Sequence, residues 1–215
     1  RGLGDVYKRQ PLVTIGSGVA VSALLAPTLG AIAMKVGDLI MLATNLQPFW
    51  MGIAVSVLVG VALTLPISSA AICAAFGLTG LAGGAAVAGC CAQMVGFAVM
   101  SFRENKWGGL VSQGIGTSML QMGNIIKNPR IWIAPIVTSA ITGPLATCLF
   151  KLQMNGTAVS SGMGTCGFVG QIGVYTGWMN DIAAGTKTAV TAMDWAGLFL
   201  SLIHISEPTR LRCIS

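Results

Sequence analysis

Six uncharged polar side chains lie close together in a stretch of the sequence that is apolar enough to enter a membrane, namely Ser112, Ser118 and four candidate binding residues. Gln113, Thr117, Gln121 and Asn124 all fall within residues 107–128. Amides and hydroxyls offer hydrogen-bond donors and acceptors without carrying a charge. Two interpretations follow: these groups bond to neighbouring helices as structural contacts, or they line a cavity for a neutral, hydroxyl-rich solute such as a sugar.

Other kinds of chemistry have little support in the sequence. The run from Gly162 to Gly167 has the letters of a dinucleotide-binding fingerprint, but no hydrophobic strand precedes it and no acidic residue follows in a βαβ unit. The cysteines form no CxxC pair, so we expect neither a metal site nor a cofactor. Residues 11–199 contain no histidine, and Glu104 is their only glutamate, interpreted as a solvated partner of Arg103 or Lys106.

The surrounding sequence predicts helices inside a membrane. No Asp, Glu, Lys, Arg or His occurs between residues 39 and 102, charged residues make up 8% of the chain, and the mean hydropathy is +0.79. About 20 apolar residues cross the hydrocarbon core as a helix. We therefore predict an all-α fold, a polytopic transmembrane helical bundle with broken or re-entrant helices. No cluster of basic residues with interleaved aromatics suggests nucleic acid as a partner.

A glycine-rich segment, residues 156–175, supplies two further candidate binding residues, Thr165 and Gln171. Helix breakers at membrane depth are tolerated only where the backbone is buried in protein or lines a watery cavity. Transporters also build substrate sites near the bilayer midplane from broken helices. The sequence therefore predicts that residues 162–171 line one cavity together with residues 113–124.

Local signals predict several element boundaries. Pro48 predicts the start of a spanning helix over residues 49–65, since proline suits the first helical turn. Ser68 or Ser69 predicts the cap of the helix that follows. Residues 181–199 predict a last amphipathic or partial span.

The basic residues predict an orientation in the membrane. Arg103, Lys106, Lys127 and Arg130 flank the polar segment on both sides. Cytoplasmic loops of membrane proteins carry an excess of Lys and Arg. We therefore expect this side of the protein to face the cytoplasm.

The two ends of the chain are related to each other at the level of DNA. Arg1–Gln10 can be encoded by a DNA whose complementary strand encodes Leu200–Thr209. This relation is typical of a sequencing adapter read on both sides of an insert. We therefore expect residues 1–10 and 200–215 to be artefact and residues 11–199 to be a transmembrane domain that is incomplete at both ends; the alternative is a basic arm and a basic tail.

Several motifs resemble a bacterial family of membrane proteins, the EIIC type of the phosphotransferase system, which includes the perfringolysin-regulator-like proteins. The longest and most specific is residues 109–129, GLVSQGIGTSMLQMGNIIKNP, followed by IWIAP at residues 131–135 and SAITGPLAT at residues 139–147. Shorter motifs fit the same family: NLQPFWM at 45–51, LPISS at 65–69, GCCAQMVGF at 89–97, GMGT at 162–165 and GQIG at 170–173. The resemblance covers roughly residues 40–180.

This resemblance implies a multi-pass protein of the bacterial inner membrane that binds and translocates a sugar. Cytoplasmic phosphocarrier proteins of the EIIB and EIIA type would be its partners, and EIIB would phosphorylate the sugar. The chain itself would carry no phosphorylated residue. The resemblance also allows a homodimer within the lipid bilayer.

A second function remains open, that of a membrane regulator or sensor that keeps the EIIC fold without transport. EIIC sites of related families use a Glu and a His, and residues 11–199 contain no histidine. This absence favours regulation, whereas the polar and broken helices favour transport.

The complementarity of the terminal segments leads to a test on the DNA itself. Assembly of the same locus from reads trimmed of adapter is expected to replace residues 1–10 and 200–215 with apolar sequence. The measurement is the assembled reading frame. Recovery of RGLGDVYKRQ at the start of the frame in independent trimmed reads would show the prediction to be wrong.

Overall fold

The computed structural model describes residues 3–44 and 47–203, and the regular structure of these residues is helical. Short π-helical and 3₁₀ turns connect the helices, and no β-strand occurs within the described ranges. The prediction of an all-α fold is therefore confirmed. The α-helices are α1 (Leu3–Thr44), α2 (Pro48–Thr64), α3 (Ser69–Ala75), α4 (Gly80–Val111), α5 (Met122–Lys127), α6 (Ile133–Pro144), α7 (Ala158–Ser161), α8 (Val169–Ala183) and α9 (Ala192–Ile203).

The chain divides into two compact units, Arg1–Lys35 and Val36–Ser215. In the first unit the side chains from Val13 to Thr28, all on α1, are exposed. The second unit contains α2 to α9 and holds the larger buried core. Residues 204–215 lie outside the described residues, so the interpretation of the two terminal segments stays a prediction.

Three helices, α2, α4 and α6, pack closely on one another and form the centre of the second unit. A Cβ atom added at Gly89 of α4 would overlap the carbonyl oxygen of Ser56 on α2. A Cβ added at Gly143 of α6 would overlap the carbonyl oxygen of Gly52 on α2. Small residues at such positions let helix backbones approach closely, which is how helices associate when lipid supplies no hydrophobic force between them.

Helix α4 changes character along its length. Its first half is rich in Gly and Ala and is almost wholly buried, whereas residues 102–108 are exposed. Its helical backbone is interrupted at Lys106, where φ is 51° and ψ is −140°. Positive φ is uncommon for a non-glycine residue and does not belong to a right-handed helix. The turns of α4 after Lys106 therefore form a separate short piece, and a π-helical turn at Ser112–Gly116 follows it.

The local signals in the sequence are largely reproduced. Pro48 is the first residue of α2, as predicted. Ser68 caps α3, because its hydroxyl accepts a hydrogen bond from the N–H of Ala71 at 3.2 Å. Ser69 has a different role: its hydroxyl donates to the carbonyl of Gly162 at 2.8 Å and so joins α3 to the segment after α7.

The prediction of a last span over residues 181–199 is wrong about where that helix starts. Helix α8 ends at Ala183, and Gly185 follows with φ of 74°, the left-handed conformation that commonly ends helices. Helix α9 begins after Thr191, whose hydroxyl and N–H both donate to the carboxylate of Asp194, while the N–H of Asp194 donates back to that hydroxyl. This reciprocal cap sets the true start.

The contact between Gly89 and Ser56 leads to a stability prediction. Gly89→Ala should destabilise the protein by about 1–3 kcal/mol, since the added methyl group forces α2 and α4 apart. The measurement is the melting temperature of the purified protein in detergent. Gly18→Ala on α1 is the matched control, because nothing lies within 4 Å of the added carbon there. Equal melting temperatures for the two variants would contradict the importance of this contact.

Candidate functional site

Three of the predicted binding residues, Gln113, Gln121 and Asn124, line one cleft of about 440 Å³. The cleft lies between the last turns of α4 and the segment that leads into α5. No charged side chain is among the residues that line it. Its other lining residues are Asn105, Gly108, Gly109, Ser112 and Leu120.

Gln113 is the most unusual group of this cleft. It lies in the π-helical turn Ser112–Gly116 and its side chain is only 4% exposed. Its Oε1 atom is buried and has no hydrogen-bond partner. A buried acceptor without a partner costs about 1–3 kcal/mol, so Gln113 is the least satisfied polar side chain among those that line the cleft.

The remaining polar residues of the segment shape its backbone. The hydroxyl of Thr117 accepts from the N–H of Met119 at 3.2 Å and caps the 3₁₀ turn Ser118–Gln121. The amide nitrogen of Asn124 donates to Oε1 of Gln121 at 2.8 Å. This bond holds the two amides together on one wall of the cleft.

A second, smaller cleft of about 250 Å³ shares that wall. Gln121 and Asn124 line it as well, opposite Ser101 and Glu104. Met100 and Ile131 complete its lining. The hydrogen-bonded pair Gln121–Asn124 therefore borders both clefts, and Glu104 belongs to the surroundings of the candidate site.

Thr165 and Gln171 lie beside this region but contact α4. The hydroxyl of Thr165 is buried 3.4 Å from the sulfur of Met94. The amide nitrogen of Gln171 is 3.3 Å from the sulfur of Cys91, and its Oε1 is buried without a partner. The π-helical turn Ser112–Gly116 contacts the 3₁₀ turn Cys166–Phe168, so the glycine-rich loop packs behind the turn that carries Gln113.

Gln93 has the structural role that the first interpretation assigns to polar groups in membrane helices. It is fully buried, its Oε1 accepts from the indole N–H of Trp132 at 3.2 Å, and its Nε2 donates to Ser139 at 3.3 Å. The hydroxyl of Thr64 on α2 lies 3.5 Å from Oε1 of Gln93 and 3.1 Å from the hydroxyl of Ser118. These bonds join α2, α4 and α6, and they also fasten the 3₁₀ turn of residues 118–121 to that core.

Two polar residues that line the cleft, Asn105 and Ser112, were not among the predicted binding residues. Asn105 lies between charged residues in the sequence and resembles an ordinary interfacial residue. Its amide donates to the hydroxyl of Ser101 at 2.9 Å. It lies one residue before the interruption at Lys106, which was not predicted from the sequence.

A larger cavity of about 550 Å³ lies elsewhere, between the ends of α8 and α9, and was also not predicted. Two pairs of its polar groups bond to each other: Lys187 pairs with Asp194 at 2.6 Å, and Asn155 donates to Asp181 at 2.7 Å. Partial burial opposes ionisation of Asp194, but hydrogen bonds from Lys187 and Thr191 outweigh it and lower its pKa below the ordinary value. Because three of the four charged side chains that line it already have partners, with Lys151 the fourth, this cavity is a weaker candidate for a binding site.

The described residues contain no group of three or more His, Cys, Asp or Glu side chains placed to hold a metal ion. The polar side chains that line the cleft, those of Asn105, Ser112, Gln113, Gln121 and Asn124, are uncharged hydrogen-bonding groups. Two helices in the described ranges, Gly80–Gly116 and Pro129–Leu149, are long and apolar enough to cross a membrane, and Val13–Thr28 and Pro48–Thr64 are shorter apolar helices. The fold is that of an all-α membrane protein.

Comparison with known proteins identifies the family. The family profile of the phosphotransferase system EIIC matches residues 9–206, so the chain belongs to this family of membrane components. No curated protein matches the sequence significantly. No solved structure matches it significantly.

The position of the basic residues leads to a prediction about topology. Arg103, Lys106, Lys127 and Arg130 are exposed, and the excess of positive charge should place this end of the protein in the cytoplasm. Single cysteines at Asn105→Cys and Asn128→Cys, in a cysteine-free background, should resist an impermeant thiol reagent in intact cells. They should react in inverted vesicles. Labelling of both positions in intact cells would reverse the orientation.

Proposed function

We propose that this protein is a sugar-translocating EIIC subunit of a phosphotransferase system in the bacterial inner membrane. The sugar binds in the 440 Å³ cleft, and one group of helices moves against another around it. A cytoplasmic EIIB protein, itself phosphorylated by EIIA, then transfers a phosphoryl group to the sugar. No residue of this chain takes part in that transfer as a phosphoryl carrier.

The unpartnered, buried Oε1 of Gln113 carries the proposal. An amide can accept from one sugar hydroxyl and donate to another. Gln121 and Asn124 add further donors and acceptors among the lining residues, and none of these residues carries a charge that would select an ionic ligand. These features support a neutral, hydroxyl-rich ligand.

The proposed site includes Thr117, Thr165 and Gln171, because these residues hold the backbone around the cleft in place. Thr117 caps the turn between Gln113 and Gln121. Thr165 and Gln171 hold the glycine-rich loop against α4, directly behind the π-helical turn. A change at these positions would alter the shape of the cleft even where the side chain does not contact the sugar.

The competing function is a membrane regulator that keeps the same fold. The observation in its favour is the absence of histidine from residues 11–199, which leaves the cleft without the Glu and His pair of related families. A regulator could bind the same sugar without moving it across the membrane. Transport into vesicles that contain the phosphorylated partner proteins distinguishes the two functions.

Substitutions in the cleft test the proposed site. Gln113→Ala and Asn124→Ala should each weaken sugar binding by roughly ten- to a hundredfold, since a lost partner costs about 1–3 kcal/mol and 1.4 kcal/mol is a factor of ten. The measurement is calorimetric titration of the purified full-length protein with a panel of neutral sugars. Gln171→Ala tests whether the glycine-rich loop supports the site.

Gln153→Ala is the matched control, because Gln153 is exposed and lies away from this cleft. The melting temperatures of all variants should stay close to that of the parent. The site would be refuted if Gln113→Ala and Asn124→Ala bound sugar as tightly as the control. Binding of no sugar by the parent would refute the transport function itself.

A further inference from the structure

The wall of the cleft that carries Gln113 has an irregular backbone on both sides. Upstream, α4 is interrupted at Lys106, two residues before Gly108. Downstream, the π-helical turn ends at Gly116, and the extended residue Thr117 follows. Single π-helical turns are frequent at functional sites, although a second one, Leu145–Leu149, follows α6 and does not line this cleft. Backbone strain of this kind also concentrates where a protein binds or switches.

Two glycines bound this wall, and neither is required by packing or by local conformation. A Cβ added at Gly108 or Gly116 would meet no atom within 4 Å. Neither residue has a positive φ. This differs from Gly89, where an added Cβ would overlap the backbone of α2. Glycine lowers helix stability relative to alanine. Because neither packing nor local conformation requires glycine at these two positions, its contribution there is a backbone that is free to change conformation.

The downstream end of the wall is held by the core. Ser118 bonds to Thr64 of α2 at 3.1 Å and is fully buried. Inside the segment, Gly109 packs against Ser101 of α4 in the state observed, so a movement hinged at Gly108 must release that contact. The contact at Ser118 sets the downstream limit of the movement.

The state observed leaves Gln113 with a buried acceptor that has no partner. We propose that the π-helical turn Ser112–Gly116 is a movable wall of the cleft, hinged at Gly108 and Gly116, which carries Gln113 between this buried position and a position on the bound ligand. The identity of that ligand as a sugar rests on the function proposed above. The movement itself rests on the two glycines, the interruption at Lys106 and the orphaned amide.

The test measures the distance between the wall and the core in the full-length protein. Spin labels are attached at Ile115→Cys on the wall and Val137→Cys on α6, both of which are exposed, with the accessible native cysteines replaced by serine. The expected result is two distance populations for the otherwise unchanged protein. The double variant Gly108→Ala/Gly116→Ala should show one population, because alanine disfavours the alternative backbone conformations.

Gly18→Ala on α1 is the matched control, since it is also a glycine with open space around it but lies far along the chain from the cleft. It should keep both populations. The melting temperature of the double variant should be unchanged or higher, and Gly116→Ala alone serves if the double variant does not fold. A single population in the unchanged protein, with and without a panel of neutral sugars, would overturn the proposal, as would two populations in the double variant.

Failure of the hinge and failure of the proposed function give different results. If the protein binds a sugar and the wall shows one distance population throughout, the function stands and the hinge does not. If two populations occur but no sugar binds or shifts them, the hinge stands and the sugar function fails. In the combined case, saturating sugar should shift the two populations toward one, and the double variant should transport sugar roughly tenfold more slowly, as expected when a gating movement limits turnover.

Discussion

The close approach of three helix backbones is the constraint on which the rest of this structure depends. Gly89 of α4 lies directly against the Ser56 carbonyl of α2, and Gly143 of α6 lies against Gly52 of the same helix. The hydroxyl of Ser56 donates to the Ser139 carbonyl at 2.7 Å across the same interface. Inside a bilayer, such contacts and hydrogen bonds replace the hydrophobic effect as the source of association between helices.

This core makes the buried half of α4 a rigid support for everything attached to it. The Gln93 network fixes α6 on one side and the 3₁₀ turn before α5 on the other. The glycine-rich loop bonds to the same helix through Thr165 and Gln171. Beyond Lys106 the packing loosens, and the cleft lies at this transition between a rigid support and an irregular, exposed segment.

Two glutamines of similar burial, Gln93 and Gln113, differ in whether partners within the protein satisfy their hydrogen bonds. Gln93 uses both ends of its amide within the protein, so its removal would leave buried partners unpaired. Gln113 keeps an unused acceptor beside a cleft. The same residue type in the same apolar surroundings can therefore have its hydrogen bonds satisfied within the protein in one place and keep an unpaired acceptor in another.

The sequence by itself showed that the protein lies in a membrane, that its fold is helical and that it carries the motifs of its family. It also predicted the start of α2 at Pro48 and the cap of α3. These features follow from composition and local chemistry, since a long uncharged run has no side to show to water and proline and serine act on their own turn. Only the tertiary structure decided that Asn105 and Ser112 join Gln113 in the cleft, and that Thr165 and Gln171 bond to α4. The physical reason is that these contacts depend on which helices approach one another, as α2 and α4 do at Gly89, and such approaches join residues far apart in the chain.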